Sequence, residues 1–109
     1  MKFRNGFVSN SSSMSFIITN TTEKDLKILD FAKETDYLVE KFNKTYEFGN
    51  SIGEFLKSAS EDDRILCPGD NEIEFGDEDG TIHGRIYDYM LRKGGKTKQF
   101  KWKFHEALR

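Results

Sequence analysis

The chain has 109 residues, 36% hydrophobic and 33% charged, which is enough apolar surface for one folded domain. Ten Phe, four Tyr and one Trp argue against intrinsic disorder, and a net charge of −2, from 17 basic and 19 acidic side chains, creates no global field toward nucleic acid or membrane. A lone Cys67 with two histidines excludes an internal disulfide and a structural zinc site, and no apolar run approaches the ~20 residues that cross a bilayer.

A serine tract follows the basic start where a secretory leader needs its apolar segment, so the expected location is the cytoplasm. Five of the seven residues from Ser9 to Ser15 are serine. Serines favour turns and caps over regular structure, so residues 1–14 read as an exposed arm and residues 15–109 as one domain. Phe7 and Val8 precede the serines, while Phe16, Ile17 and Ile18 follow them as a buried strand over residues 15–19.

The string Lys2-Phe3-Arg4-Asn5-Gly6-Phe7-Val8-Ser9-Asn10-Ser11-Ser12-Ser13-Met14-Ser15-Phe16 resembles the N-terminal signature of small proteins from tailed phages and related bacterial elements. Those proteins begin with a basic residue, continue with Gly-Phe-Val-Ser-Asn, and close a serine run with Phe. Here Met14 interrupts the run, and the resemblance stops at Phe16. It implies a phage or prophage origin and no particular activity. Phe7, Asn10, Ser11, Ser12 and Ser13 then read as a recognition arm, or as hydroxyls whose phosphorylation would change the local charge sharply.

From Thr21 to Lys33 the spacing predicts a helix. Thr22 and Asp25 resemble a capping box, and Leu26, Leu29 and Ala32 share one face with Ile28 and Phe31 beside them. Asp36 is a candidate cap for a further helix holding Leu38 and Phe42, and Tyr46 and Phe48 read as its end or as a short strand. Ser51 and Glu54 form a capping-box pair ahead of the stripe Ile52, Phe55, Leu56, Ala59. Arg64 to Cys67 is a short apolar run, with Cys67 expected in the core, stopped by the turn pair Pro68-Gly69. Ile73 and Phe75 alternate with Glu72 and Glu74, as in a half-buried strand. After the acidic loop 76–80, Asp79 or Thr81 caps a helix carrying Ile82, Ile86, Tyr89 and Met90, which Gly94-Gly95 end. Phe100, Trp102 and Phe104 alternate with Lys101 and Lys103 to give an aromatic face and a lysine face. The expected fold is α+β: a small single-domain sandwich with a three- or four-stranded, mainly antiparallel sheet and two to four helices on one face.

Charge is unevenly placed. Residues 61–79 carry nine acids against Arg64 alone, and residues 92–103 carry six bases and no acid. Asp70, Glu72, Glu74, Asp77, Glu78 and Asp79 therefore form a candidate acidic docking surface. Lys96, Lys98, Lys101 and Lys103 around Trp102 form the alternative, a basic strand that tracks phosphates while the ring stacks on bases. The acidic loop lacks calcium-loop spacing, and Cys67 with His83 or His105 makes a poor thiolate pair, so neither metal, cofactor nor catalytic residue is expected. The resulting expectation is a phage-type accessory protein, not an enzyme, that binds a host protein to inhibit host defence or redirect a host enzyme. Binding of nucleic acid or a nucleotide through the lysine strand is the first alternative. The second is a virion-associated or packaged cargo protein recognised through its arm. Either a monomer or a homodimer fits, the latter formed by Phe100, Trp102 and Phe104 completing a sheet across a two-fold axis.

Overall fold

A computed structural model describes residues 14–76 and 81–107. Phe7, Asn10, Ser11, Ser12, Ser13, Asp77, Glu78 and Asp79 lie outside the described residues. In chain order the elements are β1 (Met14–Asn20), β2 (Leu26–Lys27), α1 (Ile28–Thr35), α2 (Tyr37–Tyr46), α3 (Ile52–Ser60), β3 (Ile65–Leu66), β4 (Gly69–Phe75), α4 (Ile82–Met90), β5 (Gly95–Lys96) and β6 (Phe100–Ala107). The main sheet is antiparallel with strand order β4-β1-β6-β5, and β2 pairs with β3 in a second, two-stranded sheet. This is the α+β class read from the sequence. Among the described residues no helix is long and apolar enough to cross a membrane.

The period-2 alternation of β1 decides the layering. Met14, Phe16, Ile18 and Asn20 are buried toward the helices, beside Ile73 and Phe75 of β4 and Phe100 and Trp102 of β6. Met14 therefore belongs to the first strand and not to the arm. Phe31 of α1 is the node between layers: its ring meets Phe100 at 5.1 Å and Trp102 at 5.4 Å edge-on, and Tyr87 of α4 at 5.2 Å. Tyr87 in turn packs on Phe55 and Phe75. Its hydroxyl shares a 2.7 Å hydrogen bond with Thr35, which also donates to the Phe31 carbonyl, so a fully buried phenol is satisfied. Gly95 permits the closest approach, since a Cβ there would stand 2.6 Å from the Trp102 ring.

Three local expectations are corrected. The first helix begins at Ile28, because buried Asn20 takes the preceding segment into a turn. Its Oδ1 accepts from the Thr22 N–H and hydroxyl, and its Nδ2 donates to the Lys24 and Leu66 carbonyls. Thr22 is thus used in a turn, and Asp30 instead accepts from the Lys27 N–H at the helix start. Asp36 joins α1 to α2 without a side-chain capping bond. Cys67 is exposed, because β3 buries Leu66 and the alternation turns its neighbours outward. The Ser51–Glu54 capping box and the Thr81 cap form as the spacing predicts. Phe104 meets Phe16 edge-on yet stays 41% exposed, so the aromatic face of β6 is buried only at Phe100 and Trp102.

Phe31→Ala should cost about 3–5 kcal/mol, because it removes a ring that joins α1 to both α4 and β6; equilibrium urea unfolding followed by circular dichroism measures this.

Candidate functional site

The face of the main sheet away from the helices carries the odd-numbered residues of β1 and both charged strands. The register sets Ile17 between Glu72 and Lys103, and Thr19 between Asp70 and Lys101. Lys96 of β5 pairs with Lys101 and extends the basic side. Each of these two rows therefore runs from carboxylate through a neutral residue to ammonium, within neighbouring-strand distance. Thr19 donates to Asp70 at 2.6 Å and Ser15 donates to Glu72 at 3.0 Å, which orients two of the carboxylates. A depression of about 490 Å³ lies along the basic half, lined by Ile17, Thr19, Asp70, Lys96, Lys101 and Lys103 with Gly95 and Trp102. Lys98 is separated from this group and sits in the β5–β6 turn near Glu34. Trp102 is only 5% exposed and packs edge-on against Phe31, so its ring is not presented for stacking on a base.

A bulge where β1 meets β6 leaves His105 as the extra residue and pairs Ser15 with Glu106. One ligand atom from each of Glu72, His105 and Glu106 then falls within 4.8 Å of the others. All three side chains are exposed, and His105 lies 3.7 Å from Glu106, as expected of a solvated mixed-charge rim.

Beside the free edge of β4 is a cleft of about 550 Å³, lined by Ser58, Glu61, Asp62, Arg64, Glu72, Ile73, Glu74, Thr81 and His83. Within it, Ser58 Oγ lies 2.6 Å from His83 Nδ1, and His83 Nε2 lies 2.8 Å from Asp62 Oδ2. Arg64 clamps the same carboxylate through Nε and Nη2, donates Nη1 to the Glu74 carbonyl, and stacks over Phe75 at 5.0 Å. Burial raises the Asp62 pKa, but hydrogen bonds from Arg64 and His83, with the guanidinium charge, outweigh it and hold the carboxyl down to about 2.

A serine, an imidazole and a carboxylate in line suggest nucleophile activation. The surroundings oppose it. Glu61, Glu72 and Glu74 line the same cleft and would repel a developing oxyanion. The amides that open α4 are also engaged, His83 N–H with Ser58 Oγ and Gly84 N–H with Thr81 Oγ1. The chain Ser58–His83–Asp62–Arg64 thus works as a strut joining α3, α4 and the edge of β4.

Of the residues singled out in the sequence, Asp70, Glu72, Glu74, Lys96, Lys101 and Lys103 meet on one sheet face. Sequence reading missed Ser58, Asp62, Arg64 and His83 as a group, because they come from α3, the following loop and α4. The available signal was His83 beside Ile82 and Ile86, a histidine on an otherwise apolar helix face. The chain matches no protein-family model, no curated protein and no solved structure.

Asp62→Asn should lower stability at neutral pH by about 1–3 kcal/mol, as expected when charged hydrogen bonds to a mostly buried carboxylate are lost. The folded pKa lies below the ordinary value of 3.8, so the contribution is full above that value and fades as pH falls through about 2. Urea midpoints measured from neutral pH down through this window should converge for the two proteins at the acid end.

Proposed function

We propose that this protein acts by binding another protein, without chemistry of its own, and that the helix-free face of the main sheet is the docking surface. The observation that supports this reading is the segregation of charge across Ile17 and Thr19 on that face, with Glu106 the acidic exception at the far end of β6. Asp70, Glu72 and Glu74 stand on one side of Ile17 and Thr19, and Lys96, Lys101 and Lys103 stand on the other. The strip formed by Ile17 and Thr19 between opposite charges suits a protein surface of complementary pattern, because such patterning fixes orientation and suppresses wrong partners. Nucleic acid is the weaker fit: the carboxylates sit within the same face as the lysines and offset the field a polyanion would follow. In the setting implied by the N-terminal resemblance, the partner is a host protein met in the host cytoplasm.

The test compares tagged full-length protein with the Lys101→Glu/Lys103→Glu variant in capture from nuclease-treated bacterial lysate, read by quantitative mass spectrometry. One stoichiometric protein retained by the wild type and lost by the variant is the expected result. Equal capture by both would remove the sheet face from the reading, and capture that appears only when the nuclease is omitted would replace it with the lysine-strand alternative.

A further inference from the structure

We infer that the domain carries a second binding site, on its helical side, for an acidic polypeptide segment. Two adjoining depressions cross α2 and α4 there. One, of about 420 Å³, is lined by Tyr37, Lys41, Lys44 and Lys93 among others; the second, of about 540 Å³, is lined by Phe42, Phe48 and Arg85; Tyr46 and Tyr89 form part of both. Among the described residues no carboxylate lines either one. Tyr37, Tyr46 and Phe48 are each more than 40% exposed, a concentration of large rings that the core does not use.

Rings and cations are interleaved. Lys41 stands over Tyr37 at 5.6 Å and Arg85 over Phe48 at 5.5 Å, while Arg92, ion-paired with Asp88 at 3.0 Å, stands over Tyr89 at 5.0 Å beside the depressions. Phe48 stacks on Phe42 at 5.2 Å, and Tyr46 packs on both Phe42 and Tyr89 at 5.1 Å. Exposed Tyr, Phe and Arg in one patch is the composition that dominates binding energy at protein interfaces. The positive sign selects an acidic occupant. A polypeptide fits better than single-stranded nucleic acid, because the ring faces that bases would need already carry cations or other rings. The first depression also includes Trp102, whose buried indole N–H has no hydrogen-bond partner among the described residues, and a carboxylate would supply the acceptor. This site is built mainly on α2 and α4 and shares only Trp102 with the depression on the sheet face.

The test uses a labelled poly-glutamate peptide with one central Phe, its glutamine counterpart, and an oligothymidylate of equal length, each titrated into the full chain. Trp102 is the sole tryptophan and lines both this site and the sheet-face depression, so its emission reports binding and the sheet-face variant assigns the signal to one side. The glutamate peptide alone should bind and shift that emission. Lys44→Glu with Lys93→Glu should weaken it by roughly tenfold or more, and Tyr46→Ser should weaken it without any change of charge. Lys101→Glu/Lys103→Glu should leave it unchanged, which separates this site from the docking face. Circular dichroism confirms the fold of each variant. Peptide binding indifferent to the Lys44/Lys93 change would overturn the inference, as would oligothymidylate binding as tightly as the peptide.

Discussion

In β1 alternate side chains belong to different environments, and the rest of the domain is arranged around that alternation. Phe16 and Ile18 face the helices and are fully buried, while Ile17 and Thr19 face outward between strands of opposite charge. A register slip by one residue would exchange the two sets, putting the Thr19 hydroxyl in the core and the Phe16 ring in water. The strand is central, paired on both sides to segments far away in the chain, so the sheet cannot form until residues 69–75 and 100–107 have both returned to it.

Two buried polar devices support this strand from the helical side. Asn20 ends β1 by using both ends of its amide, which holds the turn toward β2 and ties it to the Leu66 carbonyl. Thr35 and Tyr87 join α1 to α4 by one hydrogen bond deep among the rings. Burial pushes the Tyr87 hydroxyl well above its ordinary pKa, so it stays a neutral partner. The Ser58–His83–Asp62–Arg64 chain performs a related task at the rim, where Arg64 also satisfies the Glu74 carbonyl on an edge strand. Polar groups held this way orient elements more than they add stability.

The layering separates two kinds of surface. The sheet side presents acids and bases on opposite sides of β1, on regular backbone. The helical side presents rings and cations that the core leaves over, beside Tyr89 and Trp102. A domain with two such faces is suited to holding two partners, or two parts of one partner, at a set orientation.

Much of the local structure was legible in the chain. The Ser51–Glu54 cap, the Thr81 cap, the alternation of β4 and that of β6 rest on neighbours a few residues apart, and local stereochemistry is enough to read them. The helix expected from Thr22 failed because Asn20, reaching Leu66 across 46 residues, outcompeted a local cap. Cys67 failed because a two-residue strand gives too short a pattern to show which side faces inward. Composition and periodicity thus determined the α+β class, most elements and the segregation of acidic from basic segments. Only tertiary structure decided that those segments flank one strand on one face, that Ser58, Asp62 and His83 meet, and that rings from α2 and α4 share a basic patch. Those facts depend on strand order and helix packing, which long-range burial sets and no short window of sequence contains.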